Sequence, residues 1–270
     1  MSAVPSAGQG APADAPVLAS RNGGVLTLTL NRPAQFNALS SELMSALQIE
    51  LERAAADPAV RVVVIAAAGK AFCAGHDLRE MRAQPSLDYY QKLFAQCSRM
   101  MMTIQRMPQP VIARVHGIAT AAGCQLVAMC DLAVAAEGAR FAVSGVNLGL
   151  FCSTPSVALS RNLGRKQAFE MLVTGEFIDA WAAKDKGLVN AVVPPDHLDA
   201  EITRIASSIC AKPAVAIAAG KGLFYRQLEM GIEAAYQLAG QTMACNMMDE
   251  AALEGVQAFI EKRAPDWKPG

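Results

Sequence analysis

With 270 residues, the chain has room for one large domain or two small ones. Hydrophobic residues make up 53% and charged residues 18%, which excludes disorder over most of the length. Lys+Arg and Asp+Glu both number 24, so zero net charge gives no overall electrostatic case for nucleic acid or an anionic membrane as a partner. No stretch approaches the roughly 18 apolar residues of a membrane span. Seven cysteines, at 73, 97, 124, 130, 152, 210 and 245, form no CxxC pair and no Cys/His cluster, so no metal site is expected. Their odd count, with no framework, reads as reduced and mostly buried thiols in a cytoplasmic compartment.

Residues 1–16 are rich in Ala, Pro, Ser and Gly and lack the features of a signal or transit peptide, so they read as a disordered leader. Val25 to Leu30 alternates apolar residues with Thr and predicts a half-buried strand. Ser40 is a good N-cap, and Leu43, Leu47 and Leu51 then recur every four residues, predicting an amphipathic helix that ends near Asp57-Pro58. Val60 to Ala68 is apolar apart from Arg61, the pattern of a strand covered on both faces. Residues 88–106 predict a helix, closed by Pro108 and Pro110, with Met100, Met101 and Met102 as core packing. Val111 to Val115 predicts a strand, and Cys124 to Met129 a helix. Leu132 to Ala136 and Arg140 to Val143 read as a strand pair around Glu137-Gly138. After Asn147 the pattern is mostly helical. An α/β core with a helical C-terminal region follows. Stretches starting near 60, 110 and 131 share a rhythm of apolar strand, small-residue turn and second element, which suits a stacked or spiral arrangement.

Two small-residue turns could carry chemistry. Phe72-Cys73-Ala74-Gly75-His76-Asp77-Leu78 follows a buried strand, and backbone N–H groups at such a turn can point at developing negative charge. His116-Gly117-Ile118-Ala119-Thr120-Ala121-Ala122-Gly123-Cys124 leads into a helix, whose N-terminus has unpaired N–H groups. Read singly, an ordinary strand-to-helix turn explains the first, and a close packing contact the second, better than a ligand site does. Lys262-Arg263 could bind phosphate or sit as a solvated helix end. No GxSxG and no P-loop is present.

Together, Leu30-Asn31-Arg32-Pro33 with Asn37-Ala38-Leu39, the 72–78 turn and the 116–124 turn resemble the crotonase superfamily, the enoyl-CoA hydratase/isomerase family. Cys130-Asp131-Leu132, Ala139-Arg140-Phe141, Val146-Asn147-Leu148-Gly149 and Ala258-Phe259 with Glu261-Lys262-Arg263 agree in order and separation. Residues 145–155 also resemble one little-understood branch of that family. The resemblance implies a crotonase-like spiral of ββα units over residues 17–200 and a helical trimerisation region over 201–270. It implies homotrimers or hexamers and an acyl-CoA thioester as substrate, with no further cofactor. The carried-over oxyanion donors are the backbone N–H groups of His76 and Ala122. Substrate contacts carry over to Ala38, Ala74, Asp77, Leu78 and Arg79, with Phe259 and Lys262 at the adenine and phosphate end. Asp77 also fits the N-cap of the following helix.

Hydratases of this family use two glutamates, and the matching positions here are Gln125 and Gly145. Water addition needs a base and an acid, each usually worth about 10²–10⁴-fold. An amide exchanges no proton near neutral pH and glycine has no side chain. Efficient hydration is therefore not expected, and Gln125→Glu with Gly145→Glu should raise it, provided the Gly145 backbone needs no positive φ. The remaining readings are another oxyanion-hole reaction, such as decarboxylation of the methylmalonyl-CoA type, or a CoA-thioester binding protein with little turnover. The decarboxylase resemblance lacks its tyrosine, whose place falls near Cys152. His76 is the nearest titratable side chain to the turns.

Overall fold

The structure, a computed structural model, describes residues 14–267. Strands β1 (Val17–Asn22) and β2 (Val25–Leu30) form a hairpin across Gly23 and Gly24, with Gly23 at φ +56°. The leader expected over 1–16 lies outside the described residues as far as 13. The carbonyls of Ala15 and Pro16 accept from the Asn31 side chain and backbone. Helix α1 (Ser41–Ala56) is capped by the Ser40 side chain, which accepts from Leu43 N, and it buries the predicted Leu43, Leu47 and Leu51 stripe.

Three turns of a spiral follow. The first holds β3 (Val62–Ala67), β4 (Ala71–Cys73), α2 (Leu78–Ala83) and α3 (Leu87–Arg106). The second holds β5 (Val111–Val115), β6 (Ile118–Thr120) and α4 (Ala122–Met129). The third holds β7 (Leu132–Ala136) and β8 (Arg140–Ala142), then α5 (Ser153–Asn162) and α6 (Arg165–Thr174). The chain continues through β9 (Ile178–Asp179), α7 (Ala180–Asp185), β10 (Ala191–Val193) and α8 (Leu198–Cys210). It closes with α9 (Ala214–Gln227), α10 (Ile232–Met247) and α11 (Glu250–Ile260).

Each turn gives its first strand to one sheet and its second to another. The larger sheet runs β1-β2-β3-β5-β7-β10, parallel except for the β1 edge, and the smaller runs β4-β6-β8-β9. The expected pairing of 132–136 with 140–143 is thus corrected: β7 pairs with β5 and β10, and β8 with β6 and β9. The reason is burial. Ala133 to Ala136 are all buried and demand cover on both faces, which a hairpin partner alone cannot give. β3 is buried at every position, as its apolar run predicts.

The main core fills the space between sheets, α1, α3 and α4, and includes Met100 and Met101. A second cluster lies on the other face of the large sheet, where α8 packs Leu198, Ile202 and Ala206 on Val62, Val64 and Val134. Residue 200 therefore falls inside a helix that belongs to the core, and the helices leaving the sheet begin at α9. Among the described residues no single helix is long and apolar enough to cross a membrane.

Candidate functional site

The 72–78 turn is held from one side by the loop before α1. Asn37 is fully buried and its amide donates to Ala68 O and Ala71 O, both at 2.9 Å, while its Oδ1 accepts from Arg32 N. With that loop fixed, Ala74 N donates to Phe36 O, Leu39 N to Gly75 O, and Asp77 N to Leu39 O. Leu39 and His76 thus form an isolated parallel bridge. In such a bridge Leu39 bonds the residues flanking His76, so the N–H of His76 faces away from Leu39. It has no hydrogen-bond partner among the described residues.

The second turn meets the first directly. Gly75 has φ +92°, and a β-carbon there would lie 2.9 Å from Ala121 Cβ and 3.3 Å from Ala122 N. Gly123 is equally constrained: its β-carbon would sit 2.1 Å from Cys73 O, so only glycine lets α4 start this close to β4. Ala121 donates to Ala142 O at 2.9 Å and takes φ 51°, ψ −121°, a region non-glycine residues rarely occupy. That strained residue delivers Ala122 as the first residue of α4, where an N–H has no intrahelical acceptor. The Ala122 N–H also has no partner among the described residues. The two turns singled out in the sequence are therefore one structural unit, and each presents an unpaired backbone donor beside their contact.

Around this unit the side chains are mostly uncharged. Gln125, one turn into α4, is 4% exposed, and its Oε1 has no partner among the described residues. The His76 ring meets Phe94 edge-on, with centroids 5.4 Å apart, and its Nε2 is likewise buried and unpartnered. Burial lowers the imidazole to about 4, against a smaller upward pull from Glu80, so it is neutral at pH 7. Glu80 itself accepts from Ser41 N at 2.9 Å and from Ser41 Oγ, tying α2 to the start of α1. The sequence reading missed this link, and a glutamate 39 residues from its partner gives no local signal. Asp77 accepts from Arg79 N and Glu80 N as the N-cap of α2. The structure thus gives Asp77 the capping role that its N-cap chemistry offers. Ala38 and Ala74 are half-buried, while Leu78 and Arg79 are exposed. Burial pushes the Cys73 and Cys124 thiols up to about 12, so neither is a thiolate.

Gly145 is the second residue of a 3₁₀ turn (Ser144–Leu148) beside the unit, where Thr120 Oγ1 and Ser144 Oγ are 3.0 Å apart. A β-carbon on Gly145 would lie 2.5 Å from Leu150 O and 2.7 Å from Cys152 Sγ. The expectation that Gly145→Glu could simply restore a carboxylate is corrected: the space is filled by the 150–152 backbone and thiol.

The enoyl-CoA hydratase/isomerase family model matches residues 20–270. The chain belongs to the enoyl-CoA hydratase/isomerase family. It is 47% identical over 244 residues to enoyl-CoA hydratase domain-containing protein 3, mitochondrial, of Xenopus laevis, covering 90% of this chain and 83% of that one. The human protein of the same name superposes with a TM-score of 0.91 at 44% identity, covering 93% and 100% of the two chains. A Mycobacterium smegmatis enoyl-CoA hydratase structure is similar at 67% identity and TM-score 0.92, covering 93% and 98%. The branch resembled by residues 145–155 is that of domain-containing protein 3. The cytoplasmic expectation is corrected, because these animal relatives are mitochondrial by name.

The family's expected adenine and phosphate contacts are remote from the two turns along the chain. Phe259 is 84% exposed on α11 and lines a cavity of about 370 Å³ with Pro213, Val215 and Trp267. Lys262 follows α11 at φ 57°, and the neighbouring Arg263 is engaged by Glu254 at 2.6 and 2.9 Å.

Proposed function

We propose that this family member binds an acyl-CoA thioester and polarises its carbonyl with the backbone N–H groups of His76 and Ala122. The observation that supports this is the close approach of the Gly75 turn to Ala122, whose N would lie 3.3 Å from a β-carbon on Gly75, so that two unpartnered donors sit on adjoining turns. Donors fixed before the reaction stabilise an enolate oxygen without reorganising, and removing one such donor typically costs about 10²–10³ in rate. Water addition is not the reaction this site favours. Gln125 supplies a neutral amide, Gly145 has no side chain, and an imidazole that titrates at about 4 is a weak base at pH 7.

Loss of CO₂ from a 2-carboxyacyl-CoA of the methylmalonyl type breaks the bond between the α-carbon and its carboxylate and leaves the thioester enolate directly, so it needs the donors but no carboxylate base. The neutral, buried Gln125 favours that reading over hydration. Assembly into homotrimers or hexamers is part of the same proposal. Among the described residues helix α10 has none that is fully buried, and Phe224, Ile232, Tyr236, Met243 and Phe259 leave an apolar surface across α9 to α11.

The test follows crotonyl-CoA absorbance, with thioester binding measured by calorimetry. Hydration should be at least about 10³-fold slower than in a relative carrying both glutamates, while binding persists. Hydration at an ordinary rate, or no binding of any acyl-CoA, would overturn the proposal.

A further inference from the structure

The first donor turn runs straight into α2, a helix with little to hold it. It is six residues long and none of them is fully buried. Met81 packs half-buried on the main core, and its carbonyl accepts from Tyr90 Oη at 3.1 Å. A further link is Glu80. Its carboxylate accepts from Ser41 N at 2.9 Å and from Ser41 Oγ, so it takes up the N–H of the first residue of α1. That N–H has no intrahelical acceptor, and a helix N-terminus favours a carboxylate.

This use of Glu80 is not the local one. Glu80 is the third residue of α2, with Asp77 as the N-cap. A glutamate in that position commonly reaches back to the N–H of its own cap residue. Here the carboxylate goes to Ser41, and Asp77 N donates to Leu39 O at 3.3 Å. The companion bond, from Leu39 N to Gly75 O, is 2.7 Å. These two bonds flank His76 and direct its N–H away from Leu39. The Asp77 bond is the longer of the two, and its N–H is the one that a local cap by Glu80 would take. Ser41 thus draws Glu80 away from Asp77 N and leaves that N–H to Leu39. Ser41 lies two residues past Leu39 and Glu80 four past His76, so the link closes the bridge on the side opposite to Asn37.

We infer that Glu80 is a positioning residue: by holding Ser41 at the start of α1, it keeps the backbone N–H of His76 aimed at the thioester carbonyl. The inference rests on the thioester reading above. Glu80 acts through geometry, so an uncharged side chain of the same length and hydrogen-bonding reach can replace it.

The experiment is isotope-edited infrared spectroscopy of butyryl-CoA, labelled with carbon-13 at the thioester carbonyl and bound to the full chain. In the wild type the carbonyl stretch should move to lower wavenumber than in free butyryl-CoA. Glu80→Ala should lose about half of that displacement, the share of one donor of two. Its affinity for butyryl-CoA, read by calorimetry, should fall about 2–10-fold, as for one weakened hydrogen bond. Glu80→Gln should keep most of the displacement, since its amide oxygen can accept from Ser41 N and its amide nitrogen can donate to Ser41 Oγ. Ser41→Pro removes both donors to Glu80 without touching α2. Proline is favoured at the first helical position, and Ser40 already has extended backbone at φ −72°, ψ 161°, so α1 stays folded. Ser41→Pro should therefore lose the displacement as Glu80→Ala does, and it decides the matter if Glu80→Ala fails to fold. A folded Ser41→Pro or Glu80→Ala protein with the full displacement would overturn the inference and leave the thioester reading intact, whatever the change in Tm. So would a Glu80→Gln protein that loses as much as Glu80→Ala, because charge and not position would then be at work. An unshifted carbonyl in the wild type would overturn both readings.

Discussion

The backbone and the side chain of His76 answer to different constraints. The backbone is set by the bridge to Leu39, so the direction of its N–H is independent of the imidazole. The imidazole is set by burial, which holds it at about 4. Unfolded histidine holds its proton up to about pH 6.5. Between those values the unfolded chain binds a proton that the folded chain does not, so folding stability falls as pH drops through this window. The loss is on the order of 3 kcal/mol by pH 4. Urea unfolding at pH 7 and 4.5 should show a larger loss for the wild type than for His76→Gln, and equal losses would contradict the assignment. Of this residue the sequence revealed the turn and the backbone role. It could not reveal the neutral ring, because Phe94 and the covering helix arrive from elsewhere in the chain. Gln125 was legible as an amide in a glutamate's place, but its lack of a partner depends on what surrounds α4.

At the scale of elements, the join between α9 and the core is a buried charge cluster. Lys221 Nζ donates to Ile104 O and Gln109 O at 2.8 Å and to Asp131 Oδ2 at 2.7 Å. Asp131 also accepts from Val111 N and from Tyr225 Oη. Burial pulls the Lys221 ammonium below its ordinary range, and Asp131 opposes that pull. Removing one partner of a buried pair leaves the other charge uncompensated. Lys221→Met should therefore cost about 3–5 kcal/mol in urea unfolding, and Lys221→Met with Asp131→Asn should recover part of it. A loss below about 1 kcal/mol would show that α9 is docked by its apolar contacts alone. Asp131 and Lys221 stand 90 residues apart, so no local pattern joins them. Local patterns did predict α1, β2, β3 and β5. β1 was missed although Gly23-Gly24 between two β-compatible runs is a hairpin signal. Its outward Ser20, Arg21 and Asn22 obscured the alternation. The β7 and β8 segments misled because the three-residue gap from 137 to 139 looks like a hairpin even where the chain is changing sheets.

At the scale of the whole molecule, the spiral was legible as a rhythm because each turn repeats one task, a strand to each sheet. The outer helices carry the other large-scale signal. Among the described residues Ile232, Tyr236 and Met243 on α10 stand exposed, which supports the assembly proposed above. Light scattering at micromolar concentration should give the mass of three or six chains, and a stable monomer would contradict the assembly proposed. The spiral matters to function because it brings residues 74–76 and 120–122 together from separate turns. The central claim is that this meeting point holds a thioester carbonyl. A crystal structure of the full chain with a bound acyl-CoA tests it most directly. The thioester oxygen should lie about 2.7–3.1 Å from both the His76 and the Ala122 backbone nitrogens. A carbonyl bound elsewhere, or the two N–H groups directed into different cavities, would contradict it.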